Sequence, residues 1–271
     1  MWQTALSFGT KHSFFLMALL EWQTGVITRI IDETHNTKRY FFELPEQTDF
    51  VFEPGQFVTL DLPIHEQKNK RWRSYSIASA PNGSNTFELI IVLNHAGAGT
   101  TWLWQHAEVG TSLPLRGPQG KFTMPADLSE DLYLICTGTG IAPFRSMVQY
   151  IHQHQKAHQN IYLLFGCRKF NDTLYGTELR QLQDDMPGFT FIPTYSRELP
   201  DNALLQRTGY VHQVYEELIK QRTILHQQNG GTGLSPAKFM LCGWKSMIDE
   251  ARQRLAAIGY DKKDIHFELY G

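Results

Sequence analysis

The chain reads as two domains in series: an antiparallel six-stranded Greek-key barrel, then an α/β domain built on a five-stranded parallel sheet. Three observations predict this. Residues 24–124 hold six short runs bounded by Pro, Gly and Asn, the texture of a small barrel. Past a break at 125–129 the runs become continuously apolar and alternate with helical stripes, which means a parallel sheet covered on both faces. The first of those runs enters its helix through Thr137-Gly138-Thr139-Gly140-Ile141-Ala142-Pro143, a Gly-rich strand-to-helix turn.

Composition bounds the function. A chain of 271 residues with 42% hydrophobic residues can bury a core in each domain. Its formal net charge of -2 gives no global basic field, so no nucleic acid partner is expected. The three cysteines, Cys136, Cys167 and Cys242, form no Cys-x-x-Cys pair, which excludes a disulfide framework and a four-cysteine zinc or iron–sulfur site. A reducing, cytoplasmic setting follows as the expectation, and with no His-Glu-x-x-His run no metal site is expected. The apolar run at 13–20 is too short to span a bilayer and no small-residue cleavage site follows it, so stable membrane insertion is not expected. Residues 1–21 read as a weakly structured leader, with Met17 as an alternative start.

In chain order, the strands of the first domain are expected at 25–31, 39–44, 56–62, 72–79, 87–93 and 112–116. Val58, Leu60 and Leu62 alternate with Thr59 and Asp61, the period of a half-buried strand. Pro45, Pro54, Pro63 and Pro81 fall between runs, where a missing amide donor does no harm. A helix at 100–107 interrupts the series and is entered through Gly97, Ala98, Gly99, Thr100 and Thr101. Glycines permit close backbone approach and helix N-terminal amides attract an anion, although a plain loop and cap has the same composition. In the second domain the strand 132–136 precedes a helix whose stripe is Phe144, Met147, Val148 and Ile151. Strands at 161–165, 190–193, 239–242 and 265–270 alternate with helices at 177–185, 211–225 and 246–258, and the Gly- and amide-rich stretch 227–233 is expected to be a flexible loop.

Chemistry concentrates in two places. Arg73, Tyr75 and Ser76 put a guanidinium, a phenol and a hydroxyl within four residues of one strand, with Arg73 and Tyr75 on one face. That spacing suits a flat, anionic, hydrogen-bonding ligand such as a flavin nucleotide; a strand with a core Tyr and a solvated Arg shares it. At 137–143 bare amides and a helix dipole form a phosphate cradle, with Pro143 placed to start the helix.

These motifs, together with Gly117-Pro118-Gln119-Gly120 and the terminal Phe267-Glu268-Leu269-Tyr270-Gly271, resemble in kind and order those of the ferredoxin–NADP reductase family, from about Trp22 onward. The resemblance implies a FAD-binding barrel at 22–124 and a NAD(P)H-binding domain at 125–271. It implies that Arg73 holds a flavin phosphate, Tyr75 packs on the isoalloxazine, Ser76 lies near flavin N5, and Gly97, Gly99, Thr100 and Thr101 receive the pyrophosphate. A pyrophosphate site is needed by FAD and not by FMN, so FAD is the expected cofactor. On the nucleotide side it implies roles for Thr137, Gly138, Thr139, Gly140 and Pro143 at the pyrophosphate, for Arg168, Ser196 and Arg197 at an adenosine 2'-phosphate, and for Cys242 and Gly243 at the nicotinamide. Tyr270 is implied to cover the flavin face that nicotinamide must reach, with Glu268 near Ser76 and Cys242.

The function so implied is an NADPH-dependent reductase of ferredoxin or flavodoxin, with Ser76, Cys242, Glu268 and Tyr270 as its catalytic group. Tyr210 departs from the pattern: many NADPH-using relatives carry an Arg there, and a Tyr looks more like the NADH-using reductases of oxygenases. The alternatives are therefore an NADH-dependent reductase component of a multicomponent oxygenase, a free-flavin reductase, and a non-catalytic flavin-binding adaptor. Surface ion pairing for Arg168 and Arg197, and plain burial for Cys242, remain open readings of those residues.

Overall fold

A computed structural model of the chain describes residues 21–199 and 206–270. The apolar run at 13–20, nearly all of the expected leader and the closing Gly271 lie outside the described residues.

The first sheet contains β1 (Gln23–Thr34), β2 (Thr37–Glu43), β3 (Phe57–Asp61), β4 (Trp72–Ser76), β5 (Thr86–Val92) and β6 (Ser112–Gln119), in the order β4-β3-β6-β1-β2-β5. Every pairing is antiparallel. The two edges meet through an Ile77↔Leu89 bridge, which closes the sheet into a barrel. Alternation decides what fills it: Ile27, Tyr40, Phe42, Val58, Leu60, Leu89 and Leu115 turn inward and are buried. Helix α1 (Ala98–His106) connects β5 to β6 and lowers Leu103 into this core, where the Leu103 carbonyl accepts from the Tyr40 hydroxyl at 3.2 Å.

The second sheet is parallel throughout and contains β7 (Asp131–Thr137), β8 (Ile161–Cys167), β9 (Phe189–Tyr195), β10 (Arg207–Thr208), β11 (Ala237–Gly243) and β12 (Ile265–Leu269), ordered β10-β9-β8-β7-β11-β12. It therefore has six strands where the sequence predicts five. The extra one, β10, pairs two residues with Thr194 and Tyr195 and is too short to carry a period. Helices α2 (Ala142–Gln153) and α3 (Gly176–Asp185) cover one face, α4 (Val211–Gln228) and α5 (Lys245–Ile258) the other. The stripe Phe144, Met147, Val148 and Ile151 is buried as its spacing requires. Helix α4 takes in the first two residues of the expected loop 227–233, and the Gln227 side chain then donates to the Gly233 carbonyl at 3.0 Å, tying that loop to the helix end.

The two sheets share one apolar cluster. Ala78, Ile90 and Phe122 of the barrel pack with Ala142, Phe144, Met147 and Leu174 of the second layer. Within it sits a charged clasp. Glu88 of β5, 4% exposed, accepts from Arg39 at 2.7 and 2.9 Å, from the Tyr175 hydroxyl at 2.7 Å and from Arg145 of α2 at 3.2 Å. Burial alone would raise the Glu88 carboxyl pKa, but its hydrogen bonds and the two guanidinia outweigh that and hold it below the usual range.

Removing a carboxylate from such a clasp strands two buried cations. Glu88→Ala is expected to lower stability by about 3–5 kcal/mol in urea unfolding, and a loss below about 1 kcal/mol would show that the clasp is not holding the sheets. Because the folded pKa of Glu88 is depressed, its contribution is complete above the 4.5 of a free glutamate and is lost as pH falls through the folded value, so the acid limb of the wild-type profile should flatten in the variant.

Candidate active site

A cleft of about 1210 Å³ runs between the barrel and the C-terminal ends of the parallel strands. Ligands of open parallel sheets bind at those ends. From the barrel side its wall includes Arg73, Tyr75, Ser76, Gly97, Gly99 and Thr100; from the other side Thr137, Gly138, Thr139, Arg168, Ser196, Gly243, Glu268 and Tyr270. Thr101, Gly140, Pro143, Arg197 and Cys242 are outside that wall, and each of the five is placed by a neighbouring contact or element rather than by the cleft.

Strand β4 lies at the edge of its sheet, which is why Arg73, Tyr75 and Ser76 all reach the cleft. The Arg73 guanidinium is steadied by donating to the carbonyls of Lys70 at 3.0 Å and Trp72 at 2.8 Å. Its stem lies against Gly99, where a Cβ would come within 2.8 Å of the Arg73 Cγ. The missing side chain thus lets the first turn of α1 close on the guanidinium. The first α-helical bond of α1 runs from the Thr101 amide to the Gly97 carbonyl at 3.0 Å, so the amides ahead of it point outward beside a cation. The Thr100 hydroxyl bonds the Asn94 carbonyl at 3.0 Å and the Thr101 hydroxyl the same oxygen at 3.4 Å, so these side chains shape the loop and leave the backbone to meet an anion. Burial pushes the Tyr75 phenol up to about 12, with Arg73 acting the other way, so it stays a neutral ring. A guanidinium, free helix amides and a neutral aromatic ring in one trough fit a flavin dinucleotide.

Ser76 is buried and donates to Glu268 Oε2 at 3.2 Å. Burial raises the Glu268 carboxyl above its ordinary value, while the Ser76 bond acts in the opposite direction. In β12, Glu268 stands in register with Cys242 of β11, whose fully buried thiol is pushed well up by desolvation and then by Glu268, which keeps it a neutral group behind the cleft and not a thiolate. Tyr270 follows the end of β12, its amide donating to the Gly243 carbonyl at 3.1 Å. Its hydroxyl lies beside Ser76 and Cys242, buried and without a hydrogen bond of proper geometry among the described residues.

On the opposite side the strand β7 ends in a 3-10 turn, Gly138–Ile141, before α2, with Pro143 inside the first turn of that helix. Gly138 needs its positive φ of 54°. At Gly140 a Cβ would come within 2.4 Å of the Cys242 carbonyl, so the turn can rest on the end of β11 with no side chain between. The Thr137 hydroxyl accepts from the Trp244 amide at 3.3 Å and finishes the junction. The loops after β8 and β9 are laced by Ser196 N–H to the Cys167 carbonyl and Arg197 N–H to the Arg168 carbonyl, both 3.0 Å, which brings the two arginines side by side. Arg168 pairs with Asp172 at 3.5 Å, and Arg197 is exposed at the rim.

The cleft wall also takes in Asp172, Trp244 and Glu250, which the sequence reading leaves out. Trp244 and Tyr210 are exposed aromatics at the mouth, each ahead of a helix. Their signal is position: both directly follow or sit beside a Gly at a strand end. Among the described residues no group of His, Cys, Asp and Glu is arranged to hold a metal ion, and no helix is long and apolar enough to cross a membrane.

Comparison with known proteins places the two halves. Residues 24–124 match the family model described as an oxidoreductase FAD-binding domain, and 134–253 the one described as an oxidoreductase NAD-binding domain. Ferredoxin–NADP reductase B of Sorangium cellulosum is 33% identical over 230 residues, covering 84% of this chain and 89% of that protein. The phenol hydroxylase P5 protein of Acinetobacter pittii is 28% identical over 257 residues, 94% of this chain and 67% of that one. Among solved structures, a ferredoxin NADP+ reductase from Neisseria gonorrhoeae with bound FAD and NADP superposes with a TM-score of 0.72 at 25% identity, covering 92% of this chain and 98% of that one.

The close fit at Gly99 can be tested. Gly99→Ala forces the Arg73 stem away from α1, an overpacking cost of about 1–3 kcal/mol. The fraction of purified protein carrying flavin, read from the ratio of visible to ultraviolet absorbance, should drop sharply, and an unchanged ratio would separate Gly99 from flavin binding.

Proposed function

The chain belongs to the ferredoxin–NADP reductase family of FAD- and NAD(P)-binding oxidoreductases, and we propose that it passes electrons between NADPH and a separate one-electron carrier protein, a ferredoxin or flavodoxin. The observation that carries this reading is the single cleft in which the flavin trough of β4 and α1 faces the nucleotide turn after β7, with Ser76, Glu268 and Tyr270 between them. Bound FAD would supply the redox chemistry, as a two-electron hydride acceptor able to pass electrons on one at a time.

What the chain supplies is placement. Arg73 and the leading amides of α1 would hold the FAD pyrophosphate, Tyr75 would pack on the ring system, and Ser76 would offer its hydroxyl to it. Glu268 fixes the Ser76 hydroxyl by accepting from it at 3.2 Å, and its raised pKa keeps a proton available at that spot to higher pH than a free glutamate. Thr137, Gly138, Thr139 and Gly140, with Pro143 starting α2, take the nucleotide pyrophosphate. Gly243 lines the nicotinamide end of the cleft, and Cys242 backs it from the core with a thiol that stays protonated. Hydride transfer requires donor and acceptor atoms at roughly 3–3.5 Å, and Tyr270 must leave the flavin face for that to occur. Among the described residues its hydroxyl has no hydrogen bond of proper geometry, so packing and the backbone bond to Gly243 do most to keep the ring where it is.

Arg168, Ser196 and Arg197 together support the choice of NADPH, since each charge-assisted contact to a 2'-phosphate is worth about 1.5–3 kcal/mol. Tyr210, exposed at the same end, and Asp172, which already engages Arg168, support a second reading, an NADH-dependent reductase component of an oxygenase. In either case the three cysteines of these residues cannot build a four-cysteine cluster, so the electron acceptor lies outside them. The unpaired cysteines also support a reducing, cytoplasmic setting.

Anaerobic titration with each nucleotide distinguishes the readings: NADPH should bleach the bound flavin faster than NADH, and a flavin that neither nucleotide bleaches would remove the reductase reading. In the same assay Arg197→Ala should weaken NADPH about tenfold to a hundredfold and spare NADH, whereas equal weakening of both would detach Arg197 from the 2'-phosphate. Tyr270→Ser should raise affinity for oxidised nucleotide by about tenfold or more if the ring competes with nicotinamide; unchanged affinity would take Tyr270 out of the mechanism.

A further inference from the structure

The clasp between the sheets does more than hold them together, because of where its atoms are anchored. Arg145 lies on α2, the helix that grows directly out of the nucleotide turn, just beyond Pro143. Its Nη1 donates to the carbonyl of Ala78 at 2.8 Å, and Ala78 continues the strand that carries Ser76. The Ala78 amide in turn donates to the Glu88 carbonyl at 2.8 Å, so this end of the barrel cannot shift alone. The other edge of the guanidinium forms a two-point bond with Glu178 of α3, Nε to Oε1 at 2.7 Å and Nη2 to Oε2 at 2.9 Å, and its Cζ lies 4.2 Å from the Tyr175 ring centre. One helical turn later Gln149 repeats the pattern. Its Oε1 accepts from the Ala80 amide at 3.2 Å while its Nε2 donates to Glu178 at 2.6 Å.

Two side chains of one face of α2 thus grip alternate backbone groups of the segment after Ser76, and one carboxylate of α3 holds both. Apolar packing across the same boundary is not directional and would tolerate sliding. A guanidinium bonded on both edges tolerates little, because a planar fork loses its bonds with a small rotation. Arg145 is itself 6% exposed, so no water is at hand to replace a bond that it gives up.

We propose that Arg145 is a positioning residue for hydride transfer: its bonds to Ala78, Glu88 and Glu178 fix the separation and angle between the nucleotide turn after β7 and the Ser76 ledge, and so set how nicotinamide meets the flavin. This rests on the reductase reading above. Arg145 touches neither ligand, since it does not line the cleft. Its effect is on alignment, and a displacement of about 1 Å far from the reacting atoms can cost a hundredfold in rate.

The test uses the FAD-loaded full chain and its Arg145→Lys variant, which keeps the charge and loses the fork. Three quantities are read anaerobically: the dissociation constant for oxidised nucleotide, the long-wavelength charge-transfer absorbance that reports nicotinamide stacked on flavin, and the stopped-flow rate of flavin bleaching. The expected result is flavin content and nucleotide affinity within about twofold of wild type, a weakened charge-transfer band, and bleaching slower by about tenfold to a hundredfold. A folded variant with wild-type band and rate overturns the proposal, and so does a rate loss matched by equal losses of flavin or nucleotide binding, which marks a structural role. If Arg145→Lys does not fold, Glu178→Ala is read in its place, since it leaves Arg145 present and releases one edge of the fork; the same outcomes decide. A wild-type protein that neither nucleotide bleaches would instead refute the reductase reading and is distinguishable from all of these.

Discussion

A carboxylate buried between two sheets is the condition on which this molecule is built. Glu88 could not remain ionised there without Arg39, Arg145 and the Tyr175 hydroxyl around it, and those partners come from both sides of the boundary. Desolvation makes such a group costly when any partner is missing, so the arrangement is intolerant of alternatives. The apolar cluster around Phe122, Phe144 and Met147 supplies attraction between the layers; the clasp supplies the angle at which they meet. A cleft whose two walls belong to different sheets depends on that angle for its shape.

The cleft in turn follows from topology. Parallel strands β7, β8, β9 and β11 all end on one side, where turns expose amides and short side chains, and the barrel offers its edge strand β4 to the same side. Glycines allow the layers to come close. Gly99 admits the Arg73 stem, Gly140 rests on the Cys242 carbonyl, and at Gly243, where φ is 140°, a Cβ would come within 3.1 Å of the Thr137 amide and carbonyl. These are close approaches of backbone and ligand-facing side chains, and no larger residue fits them without moving the wall.

Much of this was legible in the sequence where the signal is local. The alternation through Val58, Leu60 and Leu62, the apolar run into Thr137 and the stripe from Phe144 to Ile151 each report burial within one element, and each element formed. The Arg73, Tyr75 and Ser76 spacing could be read because an edge strand presents its residues in sequence order. What could not be read depends on contacts between distant residues. Glu88 and Arg145 are separated by 57 positions, and nothing in either neighbourhood announces the other. The two residues of β10 carry no period, and Trp244 and Asp172 reach the cleft only because loops after different strands are laced together. Thr100 shows a subtler gap: the helix expected from residue 100 begins at Ala98, and the Thr100 hydroxyl turns back to Asn94.

Tyr270 carries an imperfection in packing that the proposed reaction can use. A buried hydroxyl without a partner costs about 1–3 kcal/mol, and natural structures rarely leave one unexplained. Here the ring is held against the shared core and by the bond from its own amide to Gly243, while the hydroxyl beside Ser76 and Cys242 gains little. Moving the ring out of the cleft restores the hydroxyl to water, which offsets part of the apolar burial that is lost. The ring is therefore less firmly seated than its depth suggests, and under the proposed reaction a nicotinamide ring that buries comparable apolar area would take its place.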